Sequence, residues 1–282
     1  MVPAIGNEPS ITFYLQRAFT LVEIAICLGI IGVALVAIIG ILPAGLHTQR
    51  ESREETIVGQ DASVIFEAIR NGSRGADDLT NYVYAIVNSW SNLTTHAAGK
   101  YCYTNQLAGK VGFPPGGFTA TTFFFALTNG MNIIGLLGTP EYMDGNFEPT
   151  NNLFASNNNY SNHITAYVTA MSGVVSEKPP QDNDILRQDA FGYRLYCVNA
   201  AVPVDTNIFS YPPNHPARIY AEKLTRNQHE LRLTFYWPLL PNGDTGKFRQ
   251  TFRATVAGQL AHVITNGFDL YFYQSQSFTN AP

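Results

Sequence analysis

Apolar residues are unevenly distributed along this chain, and the longest apolar run lies close to its start. Residues 24–42 contain no charged side chain. A helix of this length rises roughly 28 Å at about 1.5 Å per residue, which matches the hydrocarbon core of a bilayer. The pattern therefore predicts a membrane-spanning helix, which we place at residues 19–46.

A second helical pattern follows the apolar run. Pro43 removes one helical hydrogen bond, so we expect a bend there, and Asn71-Gly72 is a typical helix end. Residues 47–75 are therefore predicted to continue the first segment as one long, bent amphipathic helix. Charged residues on the other side, Asp61 among them, are interpreted as a solvated face. The apolar face consists of Ile57, Val58, Ala62, Ile65, Phe66 and Ile69.

Strand patterns occupy the rest of the chain. Residues 231–237 and 248–256 alternate apolar with polar side chains around a turn-forming segment, which predicts an antiparallel hairpin. A long helix packed on an antiparallel sheet is an α+β fold, with residues 76–282 forming the β-rich domain. The region between residues 77 and 180 is rich in turn residues and is interpreted as a large, loop-rich insertion. Further strands are predicted at residues 82–87, 118–125, 164–169, 191–198 and 268–273.

Composition agrees with an exported domain of this kind. Charged residues make up 13% of the chain, below the typical quarter, and aromatic residues reach 12%. A net charge of −4 lacks the basic footprint of a nucleic-acid-binding protein. We therefore expect no nucleic-acid partner.

The carboxylate of Glu23 lies at the edge of the apolar run. A lone charge costs on the order of 3 kcal/mol at the centre of a bilayer and less near its surface, so Glu23 needs a positive partner. Cleavage between Ala18 and Phe19 would create an amino group that is mostly protonated at neutral pH. Because Phe19 and Glu23 are four residues apart, this amine can pair with Glu23 of the same chain or of a neighbouring copy.

Residues 18–24, Ala-Phe-Thr-Leu-Val-Glu-Ile, resemble the cleavage and methylation motif of type IV prepilins and type II secretion pseudopilins. The family pattern is Gly, then Phe-Thr-Leu-Ile/Val-Glu, then about twenty apolar residues, the length of a membrane span. This chain departs from the pattern at Ala18, where the family usually has glycine. Residues 41–46, Ile-Leu-Pro-Ala-Gly-Leu, are also similar to a segment of the Verru_Chthon cassette proteins, a pilin-like group. The resemblance covers residues 17–46 only.

The resemblance implies a processing and assembly route. A prepilin peptidase would remove residues 1–18 on the cytoplasmic side and methylate the amine of Phe19, and Glu23 would guide insertion beside an assembled subunit. The chain would then be held in the bacterial inner membrane by one N-terminal helix, with a pilin-like domain in the periplasm or in an extracellular filament. An uncleaved signal anchor is the alternative. A secretory signal fits less well, because its cleavage site would follow the apolar run.

Three cysteines occur in the chain. Cys27 lies inside the apolar run and is interpreted as a small packing residue. Cys102 and Cys197 lie in the predicted external domain, each beside tyrosine in a predicted strand, where oxidation is allowed. The sequence leaves two alternatives open, a disulfide between them or two buried thiols.

Residues that carry catalytic or metal chemistry are sparse. Phosphate-binding, dinucleotide-binding, zinc-protease and nucleophile-elbow motifs do not occur, so we expect neither an enzyme nor a cofactor. The six histidines are dispersed and are expected in loops or at the surface. Asp144, Asn146 and Glu148 present oxygens at alternating positions, and some pseudopilins with a similar N-terminus bind calcium in a loop. The segment does not complete an EF-hand, so a plain turn is the favoured interpretation.

Two classes of function remain open from the sequence. The first is a structural subunit of a type IV pilus or a type II secretion pseudopilus, between which the N-terminal motif does not choose. A mature chain of 264 residues (282 minus 18) is large for a major pilin, which favours a minor subunit. The second is a membrane-anchored envelope domain that binds, adheres or hydrolyses outside any filament.

Overall fold

The described residues of the chain exclude its first 18 residues. The predicted leader, with Ala18 at the predicted cleavage site, therefore lies outside them. The chain separates into two compact units, Met1–Arg53 and Glu54–Pro282, which we describe in turn. The computed structural model describes residues 19–72, 77–105, 122–150, 159–172, 191–240, 242–265 and 267–274.

The described part of the first unit contains the beginning of helix α1, which spans Leu21–Asn71. The helix continues through Pro43 as one element, so the predicted return to helix after the proline is confirmed, whereas the bend stays a prediction. The side chains of residues 19–53 are all exposed. By length and composition, the apolar part of α1 is sufficient to span a membrane.

The second unit begins with residues 54–71 of α1, whose apolar face is buried. Gly72 follows the helix with a φ of +70°, a left-handed conformation that glycine adopts without strain. Residues 54–71 therefore form an amphipathic helical segment, which ends at Asn71 as the Asn71-Gly72 pair predicted. The buried apolar side chains of this segment are Ile57, Val58, Ala62, Ile65 and Ile69.

The described strands form one large sheet and one small sheet. In the large sheet the order is β3-β2-β1-β5-β6-β7-β8, with β4 paired to β5. Neighbouring strands are antiparallel except β2 and β3, which are parallel, so the α+β class with a mostly antiparallel sheet is confirmed. The strands are β1 (Val83–Asn92), β2 (Ala98–Thr104), β3 (Thr122–Ala126), β4 (Tyr142–Met143), β5 (Tyr160–Thr169), β6 (Gly192–Ala201), β7 (Gln228–Leu239) and β8 (Thr245–Ala257).

The region expected to be an insertion contributes the centre of the large sheet. Strand β5 pairs with β1 on one side and with β6 on the other. Strands β1 and β5 of this region are therefore part of the folded core, and the interpretation as an insertion on a smaller core is wrong for them. The predicted hairpin forms as β7 and β8, whose apolar positions Leu233 and Phe252 lie opposite each other.

The small sheet contains β9 (Leu260–Thr265) and β10 (Phe268–Tyr273), which are antiparallel. Strand β10 was predicted, but it forms outside the large sheet. Helix α2 (Gly130–Leu137) packs on β10 so closely that a Cβ atom on Gly135 would collide with Leu270. A third helix, α3 (Pro216–Asn227), precedes β7.

Two apolar clusters lie on opposite faces of the large sheet, because successive side chains of a strand alternate between faces. Ile86 belongs to the larger cluster, which also contains the buried residues of α1, α2 and β10. Its neighbour Val87 belongs to a smaller cluster. The other buried members of the smaller cluster are Tyr84, Ala85, Cys102 and Tyr167.

Candidate functional site

Glu23 begins α1 through a capping box with Thr20. The Thr20 backbone N–H and hydroxyl donate to Glu23 Oε2 at 2.8 and 3.0 Å, and the Glu23 N–H donates to Thr20 Oγ1 at 3.3 Å. In this arrangement the threonine and glutamate satisfy each other's backbone groups at a helix start. Glu23 therefore has a local role that the sequence analysis did not assign to it.

Phe19 lies outside the helix, two residues before its first residue, and its side chain is 80% exposed. The two residues therefore do not share a helical face in the uncleaved chain. Both hydrogen bonds that the Glu23 carboxylate accepts from Thr20 go to Oε2, so among the described residues Oε1 is available to a further donor. Pairing between Glu23 and a Phe19 amine stays a prediction for the cleaved chain.

Asp61 joins α1 to the end of β5 and to β6. Its Oδ2 accepts hydrogen bonds from the Met171 N–H at 2.9 Å and the Tyr193 hydroxyl at 3.0 Å, and its Oδ1 accepts one from the Ser172 N–H at 2.9 Å. The side chain is fully buried. Its interpretation as part of a solvated face is therefore wrong, because the helical spacing of Asp61 places it among the buried positions.

Burial raises the pKa of Asp61 above its ordinary value of 3.8, although the hydrogen bonds that it accepts lower it. The folded protein therefore holds the Asp61 proton more tightly than the unfolded chain does. We expect the stability of the wild type relative to Asp61→Asn to be highest below pH 3.8 and to fall as pH rises through the raised pKa. Denaturant unfolding of both proteins at several pH values in this range measures the difference between their free energies of unfolding. A difference that does not change with pH would contradict the expectation.

Cys102 and Cys197 are both buried and free. They lie on β2 and β6, between which β1 and β5 intervene, and they belong to the clusters on opposite faces of the sheet. The Cys197 thiol donates to the Leu137 carbonyl oxygen at 3.1 Å, and burial raises its pKa to about 12. The sequence left two alternatives, and the structure shows the second, two buried thiols. The alternative of a disulfide between Cys102 and Cys197 is therefore wrong. Cys27 is exposed on the apolar part of α1.

The segment considered for calcium forms a tight turn around Asp144. Asp144 Oδ1 accepts hydrogen bonds from the N–H groups of Asn146 at 2.8 Å and Glu148 at 3.0 Å. Among the described residues, no group of three acidic, histidine or cysteine side chains is suited to hold a metal. The turn holds Phe147 at a φ of +63°, a left-handed conformation that is uncommon for a side chain of this size.

Phe147 forms part of the wall of a cavity of about 390 Å³. We call this space the aromatic cavity. Its floor is one face of β1, β2 and β5, where alternation places Asn88, Trp90 and Asn92 side by side. Its other walls are the 143–147 turn and β10. The aromatic side chains that line it are Trp90, Tyr101, Tyr103, Phe147, Tyr160 and Tyr271.

These rings contact one another as well as the cavity. Trp90 stacks on Tyr101 at a centroid distance of 6.0 Å, and Phe147 stacks on Tyr160 at 5.8 Å. The Tyr271 hydroxyl donates to Met143 Sδ, which joins β10 to the turn. Aromatic pairs of this kind stabilise their own arrangement, so the walls are preorganised.

Polar side chains lie among the rings, and two of them carry buried oxygens without a partner. Asn88 Nδ2 donates to Asn162 Oδ1 at 3.2 Å, and Asn162 Nδ2 donates to the Pro140 carbonyl oxygen at 3.1 Å. Asn88 Oδ1 and Thr139 Oγ1 have no hydrogen-bond partner among the described residues. Buried polar atoms are rarely left unpaired, so these oxygens mark the cavity as a candidate binding site. The polar side chains that line it are Asn88, Asn92, Thr95, Thr139, Asn162 and Asp269.

Two histidines have defined roles in this domain. His262 Nε2 lies 2.9 Å from Asp269 Oδ1 at the cavity edge, and its ring stacks on Tyr271. His229 is fully buried on β7, edge-on to Tyr273, and burial lowers its pKa. The expectation of a surface or loop position is therefore wrong for His229.

Comparison with known proteins finds no family model, no curated protein and no solved structure that matches this chain.

The aromatic cavity was not predicted from the sequence. Its lining comes from five segments between residues 88 and 271, whose proximity depends on the strand order. One local signal was present: Asn88, Trp90 and Asn92 alternate directly after the strand predicted at residues 82–87, in the part of β1 that the sequence did not predict.

Proposed function

We propose that the mature protein is a structural subunit, of the minor class, of a type IV pilus or a type II secretion pseudopilus. One observation carries the proposal. Helix α1, which starts with the Thr20–Glu23 capping box, exposes an unbroken apolar surface over residues 24–42, while the apolar face of residues 54–71 is buried in a β-rich domain. The resemblance of residues 18–24 to the prepilin motif supports the proposal of a pilin-like subunit.

The exposed helix gives the subunit a means of assembly. Before assembly its apolar side chains lie in the inner membrane; in a filament they would pack against the same segment of neighbouring subunits. Prepilin peptidase would expose the amine of Phe19, and Glu23 Oε1 would receive it from a neighbouring subunit. Charge pairing of this kind offsets the cost of a carboxylate in an apolar environment. It also specifies the axial position of one subunit relative to the next.

The β-rich domain would lie in the periplasm or on the filament surface. The buried face of residues 57–69 anchors this domain to the helix that would enter the filament. The alternative function is a membrane-anchored envelope domain that binds a ligand outside any filament. The aromatic cavity supports this alternative, because it offers a space in which a ligand could bind. N-terminal processing separates the two functions.

We expect the chain isolated from its native membrane to begin at N-methylated Phe19. Trypsin is unsuitable for this measurement, because it cuts after Arg17 and creates a false terminus one residue away. An endoproteinase that cuts after glutamate releases residues 19–23 from the processed chain. It does not cut the Glu8–Pro9 bond, because proline follows the glutamate, so the unprocessed chain yields a longer peptide that contains residues 1–23. Mass spectrometry distinguishes these peptides directly.

A strain without prepilin peptidase is the control and is expected to yield only the longer peptide that contains residues 1–23. If both strains yield that longer peptide, the chain is an uncleaved signal anchor and the filament proposal fails. If both yield residues 19–23 without methylation, another protease processes the chain.

A further inference from the structure

One acceptor, one hydroxyl group and the indole N–H of Trp90 lack partners among the described lining residues of the aromatic cavity, which restricts the chemistry of its occupant. Asn88 is only 8% exposed, and the chain of hydrogen bonds through Asn162 to the Pro140 carbonyl orients its amide. Rotating that amide would place two oxygens against each other, so Oδ1 remains the unpaired atom. An occupant must therefore donate a hydrogen bond to Asn88 Oδ1. Thr139 Oγ1 is also unpaired among the described residues and is able either to donate or to accept.

The rings provide flat apolar surface beside these oxygens. Trp90 and Tyr160 lie on adjacent strands, with centroids 6.4 Å apart and planes inclined at 60°, so they form two sides of a corner. The face of an aromatic ring is electron-rich and attracts positively polarised C–H groups. An occupant with an apolar C–H face and several hydroxyl groups would satisfy both the rings and the oxygens.

Charge further restricts the class of ligand. Among the described lining residues, Asp269 is the single carboxylic acid, and it already contacts His262. The same set contains no lysine, arginine or histidine. Phosphates and other anions would find no cation among these residues. The volume of about 390 Å³ lies at the lower end of the roughly 300–1,000 Å³ range of small-molecule sites.

We propose that the aromatic cavity binds a neutral saccharide unit, with one pyranose face against the rings of Trp90 and Tyr160 and a hydroxyl group donating to Asn88 Oδ1. Phe147, held in its strained conformation by the Asp144 turn, closes the site from the side opposite the sheet. The acidic turn at residues 144–148, which the sequence suggested as a calcium candidate, thus positions the Phe147 ring at the sugar site. This proposal does not depend on filament assembly, because every residue of the cavity lies in the second unit.

Saturation-transfer NMR on the full chain tests the proposal. The protein is purified in a zwitterionic detergent, since detergents with sugar headgroups would compete for the site. The probes are glucose, galactose, mannose, N-acetylglucosamine and an array of neutral oligosaccharides, with N-acetylneuraminic acid as the anionic comparison. We expect transfer to the ring protons of at least one neutral sugar and none to the acidic sugar.

Two variants locate the binding. Asn88→Ala removes the unpaired acceptor, and Phe147→Ala removes a ring that is 39% exposed and therefore contributes little to folding. Each is expected to weaken binding about tenfold, the effect of losing one hydrogen bond or one aromatic contact. Tyr220→Ala, which truncates an exposed aromatic residue of α3 away from the lining residues, is the matched control and is expected to bind as the wild type does.

Unaltered affinity in Phe147→Ala would overturn the proposal, whether or not Asn88→Ala folds as judged by its thermal melt. So would the absence of binding to every neutral probe, or a preference for N-acetylneuraminic acid. Glu23→Gln separates the site from the proposed function, because it is expected to bind sugar normally even where it fails to enter filaments.

Discussion

Asp61→Ala is expected to lower the free energy of unfolding by about 3 kcal/mol, since buried donors that lose their acceptor cost roughly 1–3 kcal/mol each. The substitution would leave the N–H groups of Met171 and Ser172 and the hydroxyl of Tyr193 without their acceptor. All three donors meet at one carboxylate, which is why a single substitution affects α1, β5 and β6 together. Denaturant unfolding of the full chain, followed by circular dichroism and extrapolated to water, measures the change.

Glu67→Ala is the matched control on the same helix. Glu67 lies on the exposed side and pairs with Arg70 at 2.9 Å, an interaction between solvent-exposed residues that contributes little. We expect its unfolding midpoint to equal that of the wild type within error. Equal midpoints for Asp61→Ala and Glu67→Ala would mean that the Asp61 carboxylate does not hold α1 on the sheet.

Glu23→Gln is expected to reduce incorporation into filaments at least about tenfold, because a charge left unpaired in an apolar environment costs on the order of 3 kcal/mol. Glutamine replaces glutamate in capping boxes, so this variant retains the start of α1 while it removes the charge. Cleavage before Phe19 should remain intact. The measurement is the ratio of this subunit to its partners in sheared filaments, compared with the ratio in the membrane fraction.

Whereas Glu23→Gln keeps the helix cap and removes the charge, Thr20→Ala changes the cap and keeps the charge of Glu23. It removes the hydroxyl that bonds Glu23 Oε2 and accepts from the Glu23 N–H, but it retains the carboxylate and the backbone N–H of residue 20. Loss of a helix cap typically costs about 1 kcal/mol, so we expect a smaller defect than in Glu23→Gln. If Glu23→Gln assembles normally and Thr20→Ala does not, the glutamate acts as a helix cap and its pairing with the Phe19 amine is wrong.

Local patterns predicted the elements of this fold well. The three- and four-residue spacing of Ile57, Val58, Ile65 and Ile69 identified the buried side of α1, and Gly72 identified its end. Alternation identified the β7–β8 hairpin. In each case the relevant contacts form between residues close in sequence, or repeat with the period of a single element, so the pattern is readable without the tertiary structure.

Two predictions failed because a residue's type suggested its surroundings. Asp61 and His229 are polar and were expected near solvent, yet the backbone positions them inward with hydrogen-bond partners. Cys102 and Cys197 were considered as a pair because their flanking residues are similar. The strand order separates them by β1 and β5, and such an order arises from long-range pairing that no local pattern records.

The sequence by itself determined that this chain has one long helix, apolar and exposed over its first part and amphipathic over its second, followed by a β-rich domain. These properties follow from the periodicity of hydrophobic side chains. The tertiary structure alone decided that Asp61 receives three donors, that β1 and β5 lie at the centre of the sheet, and that an aromatic cavity forms over them. Each of these depends on segments distant in sequence, brought together by strand pairing and by burial of apolar surface that the whole domain shares.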